Sequence, residues 1–316
     1  MSRVIGVVSG KGGVGKTTVV ANLGATLTNK FNKNVLIFDS NIHTSHLGLH
    51  LGMYEDNPVT LREVLIRKAP IMHAIYVHPS TGIRIVPTPL SGDGVDLTKN
   101  KCSKLINGVR DSYDMVILDC APGLGKEVIT AIFCIDEALI VTTPDVPAVT
   151  DALKTIYMLN KFGKKTLGIV VNRCVNQKYE LTSDEISSIC NCDVIAKIPE
   201  DKRIPESISK GIPTVLLYPN SDASVSLKNL AAHLLGIEYT IEESFVERMK
   251  RFLGFRNVLN GFAIKKKTAK RETAAKQFHE VSDIQKLRKE LTEEMREEIK
   301  NKLVEKVRKR LEERGR

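Results

Sequence analysis

A glycine-rich stretch near the start of the chain constrains its fold more than any other feature. Residues 10–17 read G-K-G-G-V-G-K-T and fit the pattern G-x-x-x-x-G-K-[ST]. An apolar run at residues 4–8 precedes the stretch, and a helix-like segment begins at Thr17. A strand, a glycine-rich loop and a helix in this order are typical of a P-loop, whose backbone N–H groups surround a phosphate. The alternative is a glycine-rich turn that binds nothing.

The polar side chains of this loop suit a nucleotide. Lys16 is expected to reach the outer phosphates, and the hydroxyl of Thr17 suits Mg²⁺. The residues predicted to contact the phosphates are Gly10, Lys11, Gly12, Gly13, Val14, Gly15, Lys16, Thr17 and Thr18.

A second lysine, Lys11, directly follows the first glycine of the loop. With this lysine the loop matches the deviant Walker A motif, and the chain resembles the MinD/ParA family of ATPases over about residues 3–236. The resemblance implies ATP and ADP as ligands and an ATP-dependent homodimer in which Lys11 contacts the phosphates of the partner subunit. A solvated loop lysine is the alternative.

Continuous apolar runs alternate with helix-like segments up to residue 236. Such runs indicate strands that are buried on both faces, as in a mostly parallel sheet covered by helices. The predicted fold is therefore a doubly wound α/β P-loop domain with a C-terminal helical extension. The predicted strands are 3–8, 34–39, 83–87, 114–119, 137–142, 166–171 and 193–198. The predicted helices include 17–31, 99–110, 147–162, 182–189 and 222–235.

Two aspartates end apolar strands at the edge where doubly wound sheets bind ligands. A buried carboxylate such as Asp39 or Asp119 needs a cation or hydrogen-bond donors. The resemblance places Asp39 in switch I and Asp119 in the Walker B motif before switch II, and it assigns Thr17, Asp39 and Asp119 to the Mg²⁺ shell. The alternative for Asp119 is a helix cap.

Switch I departs from the family pattern, which is usually D-x-D, because Asn41 replaces the second aspartate. An amide can orient a water molecule but cannot act as a general base, so we predict slow hydrolysis and a long-lived ATP state. The predicted catalytic residues are Lys11, Lys16, Asp39, Asn41 and Asp119.

Two later segments also match the family. The resemblance assigns Asn172 to the adenine edge, with Arg173 packed nearby, and it places Pro199 and Asp201 on the other side of the base. These four residues complete the predicted nucleotide-binding set.

The composition changes after about residue 238, which ends the predicted ATPase domain (1–238). Residues 241–316 carry 22 basic and 14 acidic side chains, so most of the net charge of +10 lies there. We divide the remainder into an amphipathic helix (239–262), a basic linker (263–281) and a charged helix (282–316). The final helix is either mostly solvated or an arm for a partner protein.

The amphipathic segment has its bulky apolar side chains within one helical arc, and basic residues flank them. This pattern is typical of a helix that lies in a membrane interface, although docking on the ATPase domain and binding of a partner protein stay open. The membrane candidates are Phe245, Val246, Met249, Phe252 and Leu253.

These features together predict a cytoplasmic, peripherally membrane-associated, MinD-like ATPase that positions an unidentified cargo or responds to an unidentified activator. One alternative is a ParA-like segregation ATPase whose basic tail binds DNA nonspecifically. Another is a metal or iron–sulfur carrier, for which Cys190 and Cys192 form the only close cysteine pair. His43 and His46 are a weaker candidate metal pair.

Overall fold

The computed structural model of the protein describes residues 2–41, 46–53, 59–67, 69–88 and 97–238. The predictions for the amphipathic helix, the basic linker and the charged helix therefore lie outside the described residues, as does His43.

Eight of the described segments form one sheet in the order β3-β4-β2-β5-β1-β6-β7-β8. Neighbouring strands are parallel except β3, which pairs antiparallel with β4. The strands are β1 Arg3–Val8, β2 Val35–Asp39, β3 Tyr76–Val77, β4 Arg84–Val86, β5 Met115–Asp119, β6 Glu137–Thr142, β7 Lys165–Cys174 and β8 Val194–Pro199.

Helices connect the strands and cover both faces of the sheet. They are α1 Lys16–Asn29, α2 Leu47–His50, α3 Leu61–Arg67, α4 Lys99–Val109, α5 Lys126–Cys134, α6 Val146–Lys161, α7 Ser183–Cys190, α8 Arg203–Ser209, α9 Thr214–Leu217 and α10 Asp222–Leu235. Several of these helices begin with an N-capping side chain. Asp145 accepts a hydrogen bond from the backbone N–H of Ala148, and Thr182 and Glu185 form a capping box at α7.

The hydrophobic core consists of two layers, one on each side of the sheet. On one face Val4, Leu36 and Val116 pack with residues of α4, α5 and α6. On the other face Ile5 and Ile37 pack with residues of α1 and α10. Successive side chains of a strand point to opposite faces, so this division explains the continuous apolar runs of the sequence and confirms the predicted doubly wound fold.

The seven predicted strands are confirmed, with ends that differ by at most three residues. The strand β3 was not predicted, because two residues are too few to show the alternation of apolar and polar side chains that indicates a strand. Helix α5 was also missed. It contains the β-branched residues Val128, Ile129, Thr130 and Ile132, which have low helix propensity, and its burial against β1 stabilises it instead. The short helices α2, α3, α8 and α9 were likewise not predicted.

Across the described ranges, every helix is too short or too polar to cross a membrane.

A candidate nucleotide site at the carboxyl edge of the sheet

The candidate site lies where the strand order changes direction. The central strand β1 lies between β5 and β6, and the glycine-rich loop leaves its carboxyl end. In doubly wound sheets the crevice at such a switch point is the usual ligand site. The N-terminus of α1 follows the loop directly, so its free N–H groups and positive dipole end favour an anion there.

The conformation of the loop depends on Gly15 and Asn172. Gly15 has a φ of 89°, in the left-handed region, and a Cβ at this position would overlap the side-chain amide of Asn172. That amide donates a 2.8 Å hydrogen bond to the carbonyl oxygen of Val14. Asn172 therefore braces the loop from β7, in addition to any contact with a base.

Lys16 lies between the loop and the two predicted magnesium carboxylates. Its ammonium group forms a buried ion pair with Asp119, and only 7% of its side chain is exposed. Asp39 is fully buried and lies directly opposite Asp119 in the register of β2 and β5. Asp39 thus adds a second buried carboxyl group at the same edge of the sheet, and carboxylate oxygens fit the oxygen-preferring ion Mg²⁺.

Switch II contacts the end of β1 through its backbone. The N–H of Gly123 donates a 2.9 Å hydrogen bond to the carbonyl oxygen of Ser9, the residue before the loop. The hydroxyl group of Ser9 is buried without a hydrogen-bond partner. In the segment predicted as switch II, a phosphate oxygen could replace this backbone contact of Gly123.

A cavity of about 560 Å³ lies beside the loop, and its lining includes Ser9, Gly15 and Lys16. Its phosphate end contains Lys16, Thr17, Asn41, His46 and His50. Its other end is lined by Asn172, Arg173, Glu200, Asp201, Ile204, Pro205 and Ile208. The structure therefore brings together most of the predicted residues. The predicted residues outside this lining are Gly10, Lys11, Asp39, Asp119 and Pro199.

The apolar wall of the cavity was not predicted. Ile204, Pro205 and Ile208 belong to α8, the helix that follows the segment predicted to close over the base. Positions 204, 205 and 208 lie on one side of a helix. In the sequence, this helical spacing of apolar residues is the only pattern that could have identified them. A flat apolar surface of this kind suits a nucleobase.

Arg173 and Glu200 join the ends of β7 and β8 at the margin of the cavity. The guanidinium group lies 2.8 Å from the carboxylate, and this contact raises the pKa of Arg173. Arg173 also has a φ of 59°, a left-handed conformation that is uncommon for a residue with a Cβ. Both side chains of this pair are largely exposed, so the ion pair contributes little to stability.

Lys11 does not join the other loop residues in this cavity. Its side chain is 49% exposed, and its ammonium group lies 3.9 Å from a carboxylate oxygen of Asp145 at the start of α6. It lines a second, more open cavity of about 510 Å³, together with Pro144, Val175 and Tyr179. The two lysines of the loop therefore face different environments, one buried and one accessible.

His50 was also missed as a site residue. Burial lowers the pKa of its imidazole to about 4, and the nearby charge of Lys16 acts in the same direction. Asp119 opposes this shift. His50 is therefore neutral near pH 7, where a neutral imidazole can donate one hydrogen bond and accept another.

The cysteines give little support to a metal site. Cys190 is buried in α7, and burial raises the pKa of the Cys192 thiol to about 11. No group of three or more His, Cys, Asp or Glu side chains that suits a metal ion occurs within the described ranges.

Comparison with known protein families matches residues 1–235 to a family described as "ParA: NUBPL iron-transfer P-loop NTPase". An ATP-binding protein of Methanocaldococcus jannaschii is 36% identical over 254 residues, which cover 78% of this chain and 95% of that protein.

Two solved structures share the fold over nearly their whole length. The cell division ATPase MinD of Pyrococcus furiosus is 33% identical with a TM-score of 0.69, and the match covers 75% of this chain and 99% of MinD. The septum site-determining protein MinD of Pyrococcus horikoshii, in complex with Mg-ADP, is 32% identical with a TM-score of 0.68, covering 76% of this chain and 100% of that one.

Proposed function

The chain belongs to the ParA/MinD family of P-loop ATPases, and we propose that it is a MinD-like switch that dimerises on ATP, hydrolyses it slowly and associates with a membrane. The different environments of Lys16 and Lys11 carry this proposal. Lys16 is buried beside Asp119, whereas Lys11 lines an adjoining, more open cavity and is about half exposed, so a second subunit can reach it.

Binding of ATP begins with an exchange of partners at Lys16. The terminal phosphates replace the carboxylate of Asp119 as the anion beside the lysine ammonium group. Thr17, Asp39 and Asp119 would hold Mg²⁺, and the ion would supply positive charge against the phosphates. The backbone N–H of Gly123 can leave Ser9 for a phosphate oxygen, and this exchange couples the terminal phosphate to switch II.

Slow hydrolysis follows from the side chain at position 41. Asn41 is buried at the phosphate end of the cavity, and its backbone N–H donates a 3.0 Å hydrogen bond to Asp39. Its amide can orient a water molecule but cannot remove its proton. Positioning and electrostatics contribute most of the catalysis of phosphoryl transfer, so turnover is reduced rather than abolished.

Attachment to a membrane is proposed from the sequence of residues 244–253. A helix of about ten residues binds an anionic bilayer weakly, and a dimer that presents two such helices binds much more tightly. The ATP-bound dimer is therefore the form that associates with the membrane.

We expect full-length protein to sediment with anionic liposomes in the presence of ATP and to stay in the supernatant with ADP. Truncation after Tyr239 removes sedimentation, and so does Phe252→Glu, which puts a charge on the apolar face. Asn257→Glu adds the same charge outside residues 244–253 and serves as the matched control. Sedimentation that is absent with both nucleotides would contradict the membrane proposal, and tail-dependent, salt-sensitive binding of DNA would then favour the ParA-like alternative.

The description of the matching family names iron transfer, which keeps a metal or iron–sulfur carrier as the second candidate function. Cys190 and Cys192 would have to provide its thiolate ligands. Burial of Cys190 within α7 disfavours this role, because a ligand at a subunit interface must be accessible. Metal analysis of the purified protein distinguishes the two candidates.

A further inference from the structure

Two imidazole groups lie at the phosphate end of the cavity, where the family pattern does not require them. His46 directly precedes α2, and His50 is its last residue, one helical turn later. Both line the cavity together with Lys16, Thr17 and Asn41. Both side chains follow the segment predicted as switch I.

Helix α2 is fixed by its surroundings, although it has only four residues. Leu47 and Leu51 are buried, and the Nε2–H of His78 donates a 2.6 Å hydrogen bond to the carbonyl oxygen of Leu51. Immediately after the helix, Gly52 packs against Gly211 so closely that a Cβ on Gly52 would lie 3.0 Å from the Cα of Gly211. His50 is therefore carried on an element packed against two other parts of the fold.

The groups facing His50 define the role it can have. His50 lines the cavity together with Lys16 and Thr17, so it lies at the end expected to hold the terminal phosphates. The charged or titratable groups that act on it are Asp119, His46 and Lys16. Asn41 supplies no ionisable group there. A neutral imidazole has one ring N–H, and that group of His50 can donate a hydrogen bond to a phosphate oxygen in the cavity.

We propose that His50 contacts the transferring phosphoryl group of ATP and takes part in holding it for attack by water. This role rests on the proposed function and adds to it a residue that the family pattern does not include. A donor at this position strengthens binding of ATP over ADP, because ADP lacks the terminal phosphate. It also raises kcat, since charge on the phosphoryl oxygens is stabilised during transfer.

The test compares His50→Gln with wild-type full-length protein for affinity toward ATP and ADP and for the kcat and KM of hydrolysis. We expect the affinity for ATP and the kcat each to fall about tenfold, with little change in the affinity for ADP. His73→Gln, at an exposed histidine of another segment, is the matched control. If thermal unfolding shows that His50→Gln is poorly folded, the same measurements are made on His50→Leu. Leucine fills a similar volume but has no ring nitrogens.

Equal losses of ATP and ADP affinity, or an unchanged kcat with an unchanged preference for ATP, would overturn the role of His50. The proposed function fails in a different way. In that case wild-type protein itself neither binds nor hydrolyses ATP, and the assignment of His50 falls with it.

Discussion

Lys16→Ala is expected to abolish detectable ATP binding and to destabilise the nucleotide-free protein by about 3–5 kcal/mol. The first effect arises because the ammonium group is the only lysine charge inside the main cavity among the described residues. The second arises because Asp119 would stay buried, 2% exposed, without its ion-pair partner. Nucleotide titration and denaturant unfolding measure the two effects separately.

A double variant separates the two roles of Lys16. Asp119→Asn in the Lys16→Ala background removes the unpaired buried charge, so most of the lost stability returns while ATP binding stays absent. Lys11→Ala is the matched control, because it removes an exposed lysine of the same loop and leaves stability within about 0.5 kcal/mol of wild type. Tight ATP binding by Lys16→Ala would contradict the assignment of this loop to the phosphates.

Gly15→Ala is expected to have the next largest effect, with a loss of about 2–5 kcal/mol of stability and the loss of nucleotide binding. A left-handed conformation costs alanine about 1–2 kcal/mol. The new methyl group also overlaps the amide of Asn172, and such overpacking costs about 1–3 kcal/mol more. The loop must shift to relieve the overlap, and its N–H groups then no longer surround a phosphate.

Gly13→Ala is the control for the conformational cost. Gly13 has a similar φ of 79°, but no atom lies within 4 Å of a Cβ placed there. The Gly13→Ala variant should therefore lose only about 1–2 kcal/mol of stability, which is the cost of a left-handed conformation for alanine. Equal unfolding free energies for the two variants would show that Asn172 does not brace the loop.

Local patterns in the sequence predicted the loop and its setting. A strand, a glycine-rich loop and a helix are adjacent in the chain, so the placement of Lys16 and Thr17 required no knowledge of distant contacts. Asp39 and Asp119 were predicted for a related reason, because each ends a continuous apolar strand and parallel strands end at the same edge. The register that places these two residues opposite each other agrees with that prediction.

Contacts between distant parts of the chain could not be predicted in the same way. The ion pair between Lys16 and Asp119 joins residues 103 positions apart. The place of His50 depends on the packing of α2 against His78 and Gly211, and the apolar wall depends on how α8 folds over the cavity. Each depends on tertiary packing, which neither propensity nor periodicity encodes.

The proposed switch requires an ATP-dependent dimer, and sedimentation velocity with Mg-ATP and with Mg-ADP tests this claim most directly. We predict a dimer for wild-type protein with ATP and a monomer with ADP. Lys11→Ala should bind ATP and stay monomeric, because it lacks the accessible lysine proposed to reach the partner's phosphates. A monomer with both nucleotides, or an ATP-bound dimer of Lys11→Ala, would contradict the account.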